Sequence, residues 1–114
     1  SPAAFDRAVA AAADGTEGRP ILVDFTAAWC TVCTSNAAVM AAPELRARLD
    51  GLPRVVADVT DYTAETRALM ARFRVVGPPA LFFLDAQGHE IPGSRIVGPV
   101  TADEIARRLD AAGA

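Results

Sequence analysis

The amino-acid sequence predicts an α/β fold, with a central mixed β-sheet and helices on both of its faces. Segments with the periodicity of helices alternate with short apolar runs typical of strands, and the last two strand-like runs follow one another directly. Right-handed crossovers join the early strands in parallel, whereas the last two form an antiparallel hairpin. A chain of 114 residues has the usual size of one domain, so we expect a single domain over residues 1–114.

The first helix and the first strand have clear sequence signals. Ser1, followed by a proline, is a typical helix start, and apolar residues then recur at helical spacing until Asp14-Gly15 ends the run. Residues 21–26 are apolar on both faces except for Asp24, as expected of a central strand with helices on each side.

The middle of the chain is predicted to form helices around a second strand. Residues 30–40 can form a helix, and Pro43 divides this region and begins a further turn of helix that ends at Asp50-Gly51. Residues 54–59 are predicted to be a second buried strand. An amphipathic helix follows, with one face formed by Tyr62, Thr66, Leu69, Met70 and Phe73. We expect Met70 and Phe73 to lie in the core rather than to contact a cofactor.

The last third of the chain is predicted to contain two strands and a helix. The Gly-Pro-Pro run at residues 77–79 breaks the chain before a strand at residues 80–84, and a turn leads to a partner strand within residues 90–97. Thr101 and Glu104 have the spacing of a capping box, which predicts the start of the last helix.

The composition argues against several classes of function. The formal net charge is −3, and the 11 basic residues, all arginines, are scattered along the chain, which is unlike a nucleic-acid-binding surface. The longest apolar runs are far shorter than the roughly 18–20 residues that cross a bilayer. Two cysteines are too few for a scaffold held by disulfides, so their spacing more readily indicates a chemical role for the pair.

Cys30 and Cys33 form a C-x-x-C motif directly after a predicted strand and at the first turn of a helix. A thiol at a helix N-terminus faces free backbone N–H groups and the positive end of the helix dipole, which favour the thiolate. We therefore expect Cys30 to be the nucleophile, and Cys33 to attack the mixed disulfide and release the product thiol. The alternative is a structural disulfide, but so short a loop constrains the unfolded chain little.

Asp24 is the one acidic residue of the predicted central strand and precedes the C-x-x-C motif. Burial penalises the charged form of a carboxyl, so we expect Asp24 to hold a proton more readily than an exposed aspartate. Such a carboxyl near the sulfur atoms would accept the proton of Cys33 and return it in the reverse reaction. The alternative is that Asp24 points to a polar edge of the strand.

A metal site is the alternative from a different class of function. Zinc has four ligands in structural sites and about three protein ligands in catalytic ones, and here only His89 could join the two cysteines. His89 follows Gly88 at a predicted hairpin tip, where a solvated loop residue is the simpler interpretation. We therefore expect no metal and no other cofactor.

The segment from Val23 to Cys33, together with the Gly-Pro-Pro run before a strand, resembles the thioredoxin superfamily, and the resemblance covers nearly the whole chain. Four further segments are most similar to the C-terminal periplasmic domain of the transmembrane reductase DsbD: residues 57–60, 73–83, 88–90 and 95–98. The resemblance implies a thioredoxin fold.

The resemblance also implies a function as a protein-disulfide reductase. In this family the domain takes electrons from a cysteine pair of the membrane-embedded domain and passes them to the protein's own N-terminal periplasmic domain. The N-terminal domain in turn reduces disulfide isomerases and the thioredoxins of cytochrome c maturation. The chain would then be a monomeric, soluble, periplasmic domain of an inner-membrane protein. A free-standing thioredoxin-like reductase is the alternative within the same class.

Roles for single residues follow from the same resemblance. Cys30 and Cys33 match the redox-active pair. Asp24 matches the buried carboxylate, and Pro79 matches the cis-proline opposite the disulfide. The residues expected to contact the substrate are Trp29, Thr31, Val32, Pro78 and Pro79. The sequence departs from the family where a lysine and a glutamate near the pair are replaced by Thr34 and Ala37.

Overall fold

The part of the chain that the computed structural model describes, residues 1–15 and 18–114, folds into five helices and a four-stranded sheet. The elements in chain order are α1 (Pro2–Gly15), β1 (Ile21–Thr26), α2 (Thr31–Met40), α3 (Pro43–Leu49), β2 (Arg54–Asp58), α4 (Ala64–Arg72), β3 (Ala80–Leu84), β4 (Ile96–Val97) and α5 (Ala102–Ala111). This is the predicted order. No helix among the described residues is long and apolar enough to span a membrane.

The sheet has the strand order β2-β1-β3-β4. β1 is parallel to β2 and antiparallel to β3, and β3 is antiparallel to β4. The predicted mixed sheet is therefore confirmed. Because β1 and β2 end at the edge of the sheet where β3 begins, three segments meet there: the residues after β1, the residues after β2 and the Gly-Pro-Pro run.

The core has one apolar layer on each face of the sheet, because successive residues of β1 point to opposite faces. Val23 and Phe25 belong to the layer under α1 and α4, and Leu22 belongs to the layer under α2, α3 and α5. In the first layer the ring of Phe73 contacts the rings of Phe5, Phe25 and Phe82. The second layer also contains Met40, Leu45, Leu81, Ile105 and Leu109. Helices on both faces confirm the predicted fold class.

β2 differs from the prediction of a fully buried strand. It is the outermost strand of the sheet, and its residues alternate between buried and exposed positions. Val55 and Ala57 are buried, whereas Val56 is 53% exposed. It also stops at Asp58, one residue short of the prediction. This strand is covered well on only one face, and only every second residue can then be buried.

α4 begins later than its apolar stripe predicts. The Thr63 hydroxyl accepts the backbone N–H of Thr66 at 3.1 Å and caps the helix, which starts at Ala64. Tyr62 thus lies before the helix and is exposed, so its assignment to the apolar stripe of the helix is wrong. Met70 is buried as expected.

The partner of β3 is shorter than predicted. Leu84 forms an isolated bridge with Glu90, and regular pairing is limited to Ile96–Val97. Between them lies the buried Ser94. Its hydroxyl accepts the backbone N–H of Phe83 in β3 at 3.1 Å and donates to the Ile91 carbonyl at 2.7 Å. The Ser94 hydroxyl therefore provides a hydrogen bond to the β3 backbone that a longer β4 strand would otherwise provide.

Candidate redox-active site

Cys30 and Cys33 are joined by a disulfide at the N-terminus of α2. Cys30 has extended backbone angles and is the N-cap residue, so its sulfur atom occupies the place usually taken by a serine or threonine oxygen. That sulfur accepts the backbone N–H of Cys33 at 3.1 Å. Both residues are buried. An N–H group aimed at the Cys30 sulfur is the arrangement that stabilises a thiolate once the bond is reduced.

Trp29, directly before Cys30, is 55% exposed. At this exposure Trp29 is not a core residue. Its indole N–H donates to the backbone carbonyl of Thr60 at 3.0 Å, and the N–H of Ala28 donates to the Thr60 hydroxyl at 2.8 Å. Between the cysteines, Thr31 is exposed and Val32 packs partly against the core.

Asp58 and Thr60 form a tight turn after β2 that the sequence analysis did not identify. The Thr60 hydroxyl and the Thr60 backbone N–H both donate to the Asp58 carboxylate, and these bonds lower the pKa of Asp58 from its usual value of 3.8. An aspartate two residues before a threonine after a strand is a known turn pattern, so a local signal was present.

Asp24 is buried, with 8% of its surface exposed, as expected for the central strand. It is not alone: the guanidinium of Arg54 donates to its carboxylate, and the two form an ion pair. Asp24 lies opposite Val56, and Arg54 is two residues before Val56 on the same face of β2. The sequence alone does not identify this partner, because the register of β1 on β2 decides which residues face Asp24.

The bond between Pro78 and Pro79 is cis, as the resemblance implied. Pro79 is buried and Pro78 is half-buried. The Pro79 carbonyl accepts the N–H of Gly98 at 3.3 Å, so the end of β4 holds the start of β3 at the same edge of the sheet as Cys30.

Asn36 connects this proline segment to α2. It is 3% exposed, its amide donates to the Gly98 carbonyl at 3.1 Å, and its carbonyl accepts the Val100 N–H at 3.1 Å. The helix that begins at Cys30 is thereby tied to the residues that bind Pro79. Asn36 is not among the predicted site residues, although an amide in the middle of an apolar helix is a signal in the sequence.

His89 lies away from the cysteines. It follows the end of β3 that is opposite to the Pro79 end, and its side chain is 81% exposed, 3.9 Å from Asp85. Over residues 1–15 and 18–114, no group of three or more His, Cys, Asp or Glu side chains could hold a metal ion.

At the two positions that depart from the family, Thr34 donates to the Cys30 carbonyl at 3.5 Å and Ala37 is exposed.

Comparison with known proteins places this geometry in a family. The model of a family described as thioredoxin-like matches residues 2–86. The thiol:disulfide interchange protein DsbD of Cronobacter sakazakii is 40% identical over 106 residues, which are 92% of this chain and 18% of that protein. The DsbD of Ralstonia nicotianae is 43% identical over 94 residues, 82% of this chain and 15% of that protein. The chain thus spans less than a fifth of the length of these relatives.

Solved structures agree with this similarity. The reduced C-terminal domain of Neisseria meningitidis DsbD has a TM-score of 0.85 at 27% identity, covering 98% of this chain and 96% of that one. The oxidised form of the same domain has a TM-score of 0.82 at 28% identity, with the same coverage. The chain belongs to the thioredoxin-like family, and its relatives there include the C-terminal domain of DsbD.

Proposed function

We propose that this chain is a thiol-disulfide oxidoreductase that acts as a reductase, relaying electrons from a membrane-embedded cysteine pair to a periplasmic partner domain. The observation that carries this proposal is the Cys30–Cys33 disulfide at the N-terminus of α2, with the Cys33 N–H directed at the Cys30 sulfur. The similarity to proteins named thiol:disulfide interchange protein supports the same reaction. Periplasmic location and the two partners follow from the DsbD resemblance.

The proposed reaction has two exchange steps. In the reduced domain the Cys30 thiolate attacks one sulfur of the partner's disulfide, forming a mixed disulfide and releasing the other partner sulfur as a thiolate. Cys33, once deprotonated, attacks the Cys30 sulfur, forms the intramolecular disulfide and releases the second partner thiolate. The partner gains two electrons and this domain loses two. An upstream dithiol reverses these steps and reduces the domain again.

Asp24 is proposed to accept the proton of Cys33 in the second step. Its position in the central strand, on the chain leading to Cys30, supports this role, and its burial limits competition from water. Arg54 balances the charge of the carboxylate when the proton is absent. The glutamate that the family carries near the pair is replaced by Ala37, and the charged group paired with Asp24 here is instead the arginine.

The partner is proposed to dock on the edge of the sheet that carries the disulfide. Contact residues are Trp29, Thr31, Val32, Pro78 and Pro79. Two exposed apolar side chains, Val76 before the Gly-Pro-Pro run and Val97 before Gly98, lie on segments that reach the same edge and extend this surface. Pro78 has no N–H, so only its carbonyl can pair with an extended partner segment.

The test is stoichiometric exchange between the reduced chain and two oxidised proteins. One is the N-terminal periplasmic domain of Cronobacter sakazakii DsbD, and the other is insulin, an unrelated disulfide protein. We expect much faster reduction of the DsbD domain. Similar rate constants with both would favour a general thioredoxin-like reductase, and no exchange with either would overturn the proposal.

A further inference from the structure

The loop after β2 holds the residues that lead into Cys30. Thr60 binds this segment twice: its hydroxyl accepts the Ala28 N–H at 2.8 Å, and its carbonyl accepts the indole N–H of Trp29 at 3.0 Å. The preceding N–H, of Val59, donates to the Thr26 carbonyl at 2.8 Å and extends the β1–β2 pairing by one step. The approach to the nucleophile is therefore fixed from the neighbouring strand.

Asp58 sets the direction of the Thr60 hydroxyl. A hydroxyl has one hydrogen to donate, and Thr60 donates it to the Asp58 carboxylate. Its lone pairs are then free to accept from Ala28, which is the bond observed. The Thr60 backbone N–H binds the same carboxylate oxygen at 2.9 Å, so the turn is held at two atoms.

This arrangement affects Trp29 more than the sulfur chemistry. An exposed aromatic side chain normally changes rotamer on the picosecond to nanosecond timescale. Ordering such a side chain when a partner binds costs conformational entropy and weakens the binding. The bond from the Trp29 indole to the Thr60 carbonyl orders the ring before a partner arrives. Large, rigid aromatic side chains with one polar atom are typical anchors of protein interfaces.

We propose that Thr60, oriented by Asp58, is a positioning residue that presents Trp29 in a fixed orientation beside Cys30, and that this preorganisation sets how tightly a partner protein docks. The inference rests on the proposed function, because it concerns docking of the protein whose disulfide is reduced. Thr60 does not touch the sulfur atoms in this account and acts through the segment 28–29.

The test is Thr60→Val, which keeps the shape of the side chain and removes its hydroxyl. We expect the concentration of oxidised DsbD N-terminal domain that gives half-maximal reduction rate to rise about three- to tenfold, as for one lost hydrogen bond. The limiting rate should change less than about twofold. Time-resolved anisotropy of Trp29, the one tryptophan of the chain, should show a larger amplitude of nanosecond motion. Thr60→Ser should restore both values.

Thr63→Val is the matched control. It removes a hydroxyl from the same loop and weakens the cap of α4, so it lowers stability without a contact to residues 28–29. It should leave the half-saturating concentration and the anisotropy unchanged. Equal effects of the two valine variants, or an unchanged anisotropy in Thr60→Val, would overturn the inference. Failure of the parent chain to reduce either oxidised protein would instead overturn the proposed function.

Discussion

At the scale of the residue, the chemistry depends on which hydrogen-bonding groups face the two sulfur atoms and the buried carboxyl. The Cys33 N–H faces the Cys30 sulfur, and Arg54 faces Asp24. A buried carboxylate is costly unless it is paired and hydrogen-bonded, so the ion pair explains how Asp24 is tolerated in a central strand. The carboxyl can then take part in proton transfer without a large penalty to folding.

Asp24→Asn should slow the second exchange step roughly ten- to hundredfold and leave the first nearly unchanged, because it removes a proton acceptor for Cys33 but keeps the helix N-terminus at Cys30. The first step is measured as formation of the mixed disulfide in a Cys33→Ser background, and the second as release of reduced partner in the parent background. Asp50→Asn, an exposed change of the same charge, is the control. Equal effects on both steps would remove Asp24 from the mechanism.

Asp58 gives a prediction about pH. Hydrogen bonds from Thr60 lower the pKa of Asp58 in the folded state, so its carboxylate stabilises the fold above its unfolded pKa, and this contribution is lost as the pH falls through the folded pKa. The difference in unfolding free energy between the parent and Asp58→Asn should thus be constant near neutral pH and shrink in acid. Urea unfolding from pH 7 to pH 2 measures it, with Asp61→Asn as the control. A difference that stays constant over this range would show that Asp58 does not act through its charge.

Residues of the site divide into those that the sequence could identify and those that it could not. The cysteines and Asp24 stand out locally, by their spacing and by a charge in an apolar strand. Arg54 and Thr60 act on residues about thirty positions away in the sequence, and no local pattern states that two such side chains meet. Such partners become visible only when the register of the strands is known.

At the scale of the element, α2 is held at its N-terminus and at its middle. Cys30 caps its N-terminus, and Asn36, two turns later, binds the segment from Gly98 to Val100. That segment binds Pro79, so α2 and the proline segment share one hydrogen-bonded connection. A buried amide with both of its ends satisfied specifies one relative position of the two elements.

Asn36→Ala should lower the free energy of unfolding by about 1–3 kcal/mol, because it leaves the Gly98 carbonyl and the Val100 N–H without this partner. The measurement is equilibrium urea unfolding of the oxidised protein. Ser35→Ala, which changes an exposed residue of the same helix, should cost less than about 0.5 kcal/mol. If the two variants lose the same stability, Asn36 does not connect the two segments in the way described.

Element boundaries were less predictable than element order. The start of α5 after its polar cap Thr101 is predicted correctly because the cap is a local feature, whereas the Thr63 cap of α4 is missed because the apolar stripe extends past it. The apolar composition of β2 predicts a buried strand, but its position as an edge strand leaves Val56 exposed. The position of a strand within a sheet is set by the topology and cannot be deduced from the sequence of that strand alone.

At the scale of the whole molecule, the topology gathers the site from four distant segments. The C-terminal ends of β1 and β2, the start of β3 and the end of β4 lie at one edge of the sheet. This edge carries the disulfide, Thr60, Pro79 and Gly98. The alternation of helices and strands was enough to predict the α/β class, and the C-x-x-C motif was enough to predict the chemistry. Assembly of the docking surface depends on packing across the sheet, which the sequence pattern does not specify.

In the proposed reaction Cys30 attacks the partner's disulfide and Cys33 resolves the mixed disulfide. The most direct measurement is mass spectrometry of the covalent species formed when Cys30→Ser and Cys33→Ser, each reduced, are mixed with the oxidised DsbD N-terminal domain. Cys33→Ser should accumulate a mixed disulfide through Cys30, because the step that would release the partner is missing. Cys30→Ser should accumulate none. A mixed disulfide that forms with Cys30→Ser and not with Cys33→Ser would reverse the two roles and contradict this account.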